Sequence, residues 1–334
     1  MLRPVTEKEL KDLVRPLWLL KNNCRWDDRQ VGFDQVKCGV HAIISHLAYC
    51  DIDNDERRYA DRAKVVPCEL FQRLLVSPPI NLIEVLASSD LGDAVVLRTK
   101  SFVALAIFLD DLILMGVRGT WYAYEWKMNL KALKSKPKAT GLSGSFHVGY
   151  LREAEALFSK LQEYLRDRYA KKTAAGQMKL CVSGHSLGGA VASLLSNIPS
   201  ACARCWPRAC PAPGAYTIGH GRCYIFGAPR IADKKVLEKM ISQPLSIRRH
   251  LDSAPHLPPR ATNFANFAIQ KYPNGEDFTD VSRLEFYFFV SWLKHMAVGN
   301  FLEQHSMESY RSDVLNGVKE LPAIKPHWNF PNLA

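Results

Sequence analysis

The residues with the strongest chemical signal lie around Ser186. The stretch CVSGHSLGGA, residues 181–190, places this serine in a G-x-S-x-G pattern directly after an apolar run. The run before the serine predicts a buried strand, the Ala- and Leu-rich run after it predicts a helix, and a tight turn between them pushes the hydroxyl outward. The flanking glycines let strand and helix approach closely. The alternative is a serine that caps the helix among packing glycines, but the strand-to-helix context favours a nucleophile.

A serine nucleophile needs a histidine that takes its proton and a carboxylate that orients the histidine. After a strand–serine–helix turn these partners follow in the order acid, then histidine. Asp252 is the best-placed acid, because it follows the strand-like run PLSIRRHL, and strand ends carry the catalytic groups of sheet enzymes. Asp233, in APRIADKK, is interpreted as a helix cap.

Four histidines follow Asp252: His256, His295, His305 and His327. His305 is favoured because it starts a short polar segment, EQHSMESY, that leads into a predicted helix. His295 stays open as a second candidate, although its place after a hydrophobic run is typical of a packed histidine. His327 lies in a Pro-rich tail.

Strands and helices that alternate along the chain must position these residues. The run SFVALAIFLDDLILMGV is broken by Asp110 and Asp111 and predicts two strands joined by a turn. Apolar residues at helical spacing over 150–165 predict a helix. The remaining predicted strands are QMKLCVSG, GRCYIFGAP and PLSIRRHLD. This alternation predicts an α/β protein with a mostly parallel sheet covered by helices on both faces.

Composition sets further bounds. The 334 residues are 47% hydrophobic and 23% charged, as in ordinary globular proteins, and the net charge of +11 predicts attraction to an anionic surface. No nucleic-acid-binding motif accompanies the charge, so nucleic acid is not expected as a partner. The chain shows no signal peptide and no transmembrane segment, which predicts a cytoplasmic or peripheral membrane protein. Nine cysteines without an export signal favour a reducing compartment.

Seven short motifs, in order along residues 100–315, resemble those of the fungal-lipase-like (class 3) lipases of the α/β-hydrolase superfamily. VRGT at 117–120 resembles the family's F-R-G-[ST] oxyanion loop, and SGHSLGGA resembles its nucleophile elbow. The other motifs are EWKMNL, FHVGY, YIFGAPRIAD, HLDSAPHLPP and HSMESY. Val117 replaces the usual aromatic residue, Ser253 the usual proline, and Asp233 stands where asparagine is common.

The resemblance implies an α/β-hydrolase fold over residues 101–315. The apolar patterning of residues 1–100 predicts a helical N-terminal region packed on this core, and residues 316–334 are expected to form a C-terminal tail. It implies a serine carboxylester hydrolase, a lipase, that cleaves fatty-acyl esters of glycerolipids.

Catalysis would use Ser186, Asp252 and His305, form an acyl-enzyme and require no cofactor. The N–H of Leu187 would hold the oxyanion, and by the resemblance Thr120 would add a second donor. The alternatives are a phospholipase A acting on anionic membranes and a catalytically silent lipase-like scaffold.

Aromatic residues follow the oxyanion loop, where related lipases carry a lid. Trp121, Tyr122 and Trp126 are candidate lid or substrate contacts, and ordinary core is the other interpretation. The basic stretch that comes next, residues 127–138, is typical of contact with an anionic membrane surface, and a solvated loop explains it equally well.

A cysteine-rich segment separates the helix after Ser186 from the next strand. Cys202, Cys205, Cys210 and Cys223, with His220, form a C-x2-C-x4-C-x9-H-x2-C array. Three or four of these ligands would suffice for a structural zinc ion. The spacing matches no established zinc motif, so free or disulfide-bonded cysteines are the favoured interpretation.

Overall fold

The fold is built on a seven-stranded sheet. The computed structural model of the chain describes residues 10, 13–18, 26, 32–50, 82–89, 91–99, 101–109, 112–119, 134–135, 145–169, 177–198, 217–279 and 305–318. Its strands are β1 (Asp93–Arg98), β2 (Val103–Leu109), β3 (Leu112–Val117), β4 (Lys134–Ser135), β5 (Phe146–His147), β6 (Gln177–His185), β7 (Thr217–Phe226), β8 (Leu245–Ile247) and β9 (Ile269–Lys271). Its helices are α1 (Gln35–Leu47), α2 (Leu82–Ser88), α3 (Val148–Tyr169), α4 (Leu187–Leu195), α5 (Lys234–Leu237) and α6 (Met307–Asn316).

The sheet has the strand order β1-β2-β3-β6-β7-β8-β9 and is mostly parallel. Strands β1, β2 and β3 pair antiparallel, and every later pair in the sheet is parallel. The two strands predicted on either side of Asp110 and Asp111 are β2 and β3. The predicted α/β-hydrolase type of fold is thereby confirmed.

Alternating side chains on β2 explain why the sheet is covered on both faces. Ala104, Ala106 and Phe108 face one core, which also contains the buried sides of α3 and α4. Leu105 and Ile107 face a second core on the other side. Successive side chains of a strand point to opposite faces, so a strand that is apolar at every position needs partners on both sides.

The second core contains the part of the N-terminal region that the structure describes. Buried side chains of α1, α2 and residues 10–17 pack there against β2 and β3. The contact is closest at Gly116, where an added Cβ would lie 2.5 Å from the carbonyl oxygen of Ile44 in α1. Helix α1 therefore rests directly on the backbone of β3.

The sheet begins before the predicted boundary at residue 100, because β1 lies within the region expected to be helical. Strand β1 lies at the antiparallel edge of the sheet, and its sequence, DAVVLR, mixes apolar and polar residues. This pattern did not predict a strand. The division into residues 1–100, 101–315 and 316–334 otherwise stays a prediction. Within the described residues, no helix is long and apolar enough to cross a membrane.

Candidate active site

Ser186 lies at the turn between β6 and α4. Its backbone has φ 57° and ψ −130°, a left-handed conformation that non-glycine residues rarely adopt. The N–H of Ser186 donates to the carbonyl of Phe226 at 2.9 Å, and its own carbonyl accepts from Gly189 at 3.0 Å. The strained turn is thus tied to β7 on one side and to helix α4 on the other.

Gly188 allows the turn to lie against the end of β3. A Cβ at this position would lie 2.4 Å from the carbonyl oxygen of Val117 and 2.6 Å from the backbone of Arg118. Only a residue without a side chain fits there. Ser186 therefore lies beside the loop that leaves β3.

The structure brings the three predicted catalytic side chains together. His305 Nε2 lies 2.7 Å from Ser186 Oγ, and His305 Nδ1 lies 2.9 and 3.0 Å from the two oxygens of Asp252. All three residues are buried. Asp252 follows β8, and His305 precedes α6, whose first turn is capped by Ser306.

Two further donors hold the carboxylate of Asp252. The Tyr310 hydroxyl donates to Oδ2 at 2.6 Å, and the N–H of Ala254 donates to Oδ1 at 2.9 Å. Burial, with the adjacent negative charge of Asp252, raises the pKa of Tyr310 well above its usual value, so the phenol stays a donor. These bonds aim the carboxylate at His305.

Buried arginines support the loop after Asp252. Arg230 Nη1 donates to the carbonyls of His256 and Pro258, both at 2.7 Å. Arg248 Nη2 lies 2.9 Å from His256 Nε2. His256 is therefore part of the loop support. Asp233 is the N-cap of α5, accepting from Val236 N, as predicted.

His185 and Tyr49 form a second polar contact beside the triad. The His185 ring centroid lies 4.7 Å from that of His305, and His185 Nδ1 lies 2.7 Å from the Tyr49 hydroxyl. Burial, followed by the proximity of His305, lowers the pKa of His185 well below its usual value, while the backbone of His305 acts in the opposite direction to a smaller extent. His185 is therefore neutral at physiological pH.

The oxyanion prediction falls partly within the described residues. Leu187 is the first residue of α4, so its N–H has no acceptor inside the helix. Thr120 lies outside the described residues, as do the predicted lid residues Trp121, Tyr122 and Trp126. Those assignments remain predictions.

The alternative of a structural zinc ion in the cysteine-rich segment also remains untested. Cys202, Cys205 and Cys210 lie outside the described residues. Cys223 is in β7, in the first core, where burial raises the pKa of its thiol to about 12. His220 Nδ1 lies 2.7 Å from the Ser196 carbonyl. Among the described residues, no group of three or more His, Cys, Asp and Glu could hold a metal ion.

Part of the chain that contains Ser186 and Asp252 matches a known protein family. The model of the family described as lipase (class 3) matches residues 114–262. This segment belongs to the class 3 lipase family. The lipase segment runs from β3 past Asp252 and contains Ser186, whereas His305, Tyr310 and α1 lie outside it. A lipase is a carboxylic ester hydrolase. Ester hydrolysis is a reaction that a serine, hydrogen-bonded to a histidine that is in turn hydrogen-bonded to a carboxylate, can perform.

Solved structures show a distant likeness to the chain. Lipase II from Rhizopus niveus is 19% identical, with 71% of this chain and 80% of that chain covered and a TM-score of 0.44. The mono- and diacylglycerol lipase from Aspergillus oryzae is 16% identical, with 76% and 84% covered and a TM-score of 0.46. No curated protein matches the sequence.

Sequence reasoning missed Tyr49 and the role of Tyr310. Tyr310 lies in the HSMESY motif, so the spacing of five residues from His305 was an available signal. Tyr49 lies in a region where no motif pointed to chemistry. The position of Tyr49 beside the triad depends on how α1 packs on the sheet.

Proposed function

We propose that the chain is a serine carboxylester hydrolase that cleaves fatty-acyl esters of glycerolipids. His305 Nε2 removes the proton of Ser186 as Oγ attacks the ester carbonyl. Asp252 stabilises the imidazolium that forms, and the proton then passes to the leaving alcohol. An acyl-enzyme remains on Ser186, and water, activated by His305, hydrolyses it.

The hydrogen-bonded line from Ser186 Oγ through His305 to Asp252 carries this proposal. At 2.7 Å, Nε2 is within the reach that proton transfer requires, and the second ring nitrogen is committed to the carboxylate. The N–H of Leu187 at the start of α4 supplies one oxyanion donor, and Thr120 supplies the other. No metal or cofactor takes part in the proposed steps.

The test compares wild type with Ser186→Ala on p-nitrophenyl esters of increasing acyl length. We expect wild-type activity to rise with chain length and Ser186→Ala to lose it while keeping its circular dichroism spectrum. A fluorophosphonate probe should label wild type at Ser186 and leave the variant unlabelled. Near wild-type turnover in Ser186→Ala would overturn the assignment.

The net charge of +11 favours one second candidate, a phospholipase A that acts on anionic membranes. Release of fatty acid from phospholipid vesicles, compared with release from triacylglycerol emulsions, separates the two substrates. A third possibility is a lipase-like scaffold without turnover. In that case, the folded wild-type protein would neither hydrolyse esters nor react with the fluorophosphonate.

A further inference from the structure

The inference concerns Tyr49, which lies two residues beyond the end of α1 and outside the lipase segment. Its hydroxyl is buried where β3 and β6 end. It accepts a hydrogen bond from the N–H of Gly119 at 2.9 Å and lies 2.7 Å from His185 Nδ1. The Tyr49 hydroxyl thus contacts both Gly119 in the predicted oxyanion loop and His185, the residue before the nucleophile.

The direction of these bonds follows from the donors available. The amide of Gly119 can only donate, so the Tyr49 oxygen accepts from it. A phenol has a single proton, and His185 Nδ1 is the partner that can take it. Neutral His185 then carries its own proton on Nε2.

Gly119 is packed so closely that a side chain would not fit at this position. A Cβ on Gly119 would lie 2.5 Å from the Tyr49 hydroxyl, 2.7 Å from the His185 carbonyl oxygen and 3.0 Å from Ser186 Cβ. The loop is therefore pressed between the tyrosine and the elbow. Because the N–H of Gly119 is bonded to Tyr49, it is not available to an oxyanion. The donor predicted at Thr120 lies outside the described residues.

Helix α1 holds Tyr49 in place through two earlier contacts with the same strands. Ile44 lies against Gly116 of β3, and Ser45 Oγ donates to Ser183 Oγ of β6 at 2.9 Å. The helix thus follows β3 and β6 toward the ends where the reactive groups lie. A rigid element fixed to both strands sets the position of a group beyond its end.

We propose that Tyr49 is a positioning residue for the oxyanion hole: its hydroxyl fixes the loop that starts at Gly119 against His185 and the Ser186 elbow. This inference rests on the proposed function. It assigns part of the N-terminal region a role in the acyl-transfer step.

The test is Tyr49→Phe, which keeps the ring and removes the hydroxyl. We expect kcat to fall about 10- to 100-fold, less than the roughly 100- to 1,000-fold cost of losing a direct oxyanion donor. KM should change less than about twofold, because the loop stabilises the transition state more than the bound ester. Fluorophosphonate labelling of Ser186 should slow in parallel, and the Gly119 amide should exchange with solvent faster.

Tyr164→Phe is the matched control, because it makes the same substitution and removes the hydrogen bond from the Tyr164 hydroxyl of α3 to Asp93 Oδ2 of β1, at 3.1 Å. It should leave kcat unchanged. Both variants are assayed at a temperature where circular dichroism shows them folded. A Tyr49→Phe that does not fold is replaced by Tyr49→Leu, which also lacks the hydroxyl and for which the same loss of kcat is expected.

Equal kcat for wild type and Tyr49→Phe, or an equal loss in Tyr164→Phe, would overturn the inference and leave the proposed function standing. A folded wild type that neither turns over esters nor reacts with the probe would overturn both.

Discussion

Strain at Ser186 shows how a single residue is held in an unfavourable conformation. A left-handed backbone at a non-glycine residue costs on the order of 1–3 kcal/mol and persists only where the surroundings fix it. Here the bond to Phe226 and the packing of Gly188 on β3 supply that constraint. The cost is offset by the stability of the sheet, and the result is a hydroxyl aimed at His305.

Tyr310→Phe tests how much the hydrogen bond from Tyr310 to Asp252 contributes to stability and to kcat. The variant removes a buried hydrogen bond to a carboxylate, so the free energy of unfolding should drop by about 1.5–3 kcal/mol. We expect kcat to fall several-fold, because among the described residues Asp252 then keeps the Ala254 N–H and His305 as partners. Urea denaturation and ester hydrolysis measure the two effects.

Tyr224→Phe is the matched control for this variant. Tyr224 is buried in the same core as Tyr310, and within the described part of the chain its hydroxyl donates a weak hydrogen bond, 3.5 Å long, to the carbonyl of Asp34. It should lose less stability and keep its kcat. Equal losses of kcat in both variants would contradict a specific role for Tyr310.

The triad could be predicted at the residue scale because its chemistry restricts the choice. The G-x-S-x-G pattern singled out Ser186, and chain order with motif resemblance selected Asp252 and His305. Hydrogen bonds such as those of Tyr49 and Arg230 could not be predicted, because each joins residues far apart in the sequence through groups that most proteins use structurally. Their partners are decided by tertiary packing alone.

Helix α1 is the element that connects most parts of the site. It lies on β3 and β6, and Gln35 Nε2 donates to the carbonyl of Val314 in α6, the helix that follows His305. It also carries two buried histidines, His41 and His46. Strands β2, β3 and β6 were predictable from their unbroken apolar runs, whereas the path of α1 was not, since its apolar residues fit any buried helix.

The buried histidines of α1 predict acid sensitivity. Burial, together with nearby Lys37, lowers the pKa of His41 from 6.5 to about 3. Below pH 6.5 the unfolded chain binds a proton that the folded chain does not, so stability falls as the pH drops toward 3. The slope is up to about 1.4 kcal/mol per pH unit for each such histidine.

His41→Gln should therefore flatten the dependence of unfolding free energy on pH between 6 and 4. Urea denaturation at each pH measures the slope. His250, which is exposed, gives the control variant His250→Gln. A slope in His41→Gln as steep as in wild type would mean that His41 is protonated in the folded protein.

At the scale of the whole molecule, the net charge of +11 predicts how the protein meets a lipid surface. Binding to anionic vesicles should exceed binding to zwitterionic ones and weaken with salt, as the Debye length falls from about 10 Å at 0.1 M to about 3 Å at 1 M. Sedimentation of Ser186→Ala with vesicles measures binding without hydrolysis. Equal binding to both vesicles at every salt concentration would reject this prediction.

Triple lysine variants locate the contact. Replacing Lys127, Lys131 and Lys134 with Gln should weaken binding to anionic vesicles by about 1 kcal/mol per lysine. The same change at the exposed residues Lys234, Lys235 and Lys239 is matched in charge. If both triple variants lose binding equally, total charge matters and the basic stretch has no special role.

The contact between Gly188 and the carbonyl of Val117 also affects how the site responds to heat. A spacing set by two side chains varies whenever either one changes rotamer. Here the elbow rests on the end of β3 at a position without a side chain, so no rotatable bond beyond the main chain enters the gap between the elbow and β3. Warming can widen that gap only by loosening the sheet itself. The elbow and the end of β3 should therefore keep their spacing until the whole protein begins to unfold.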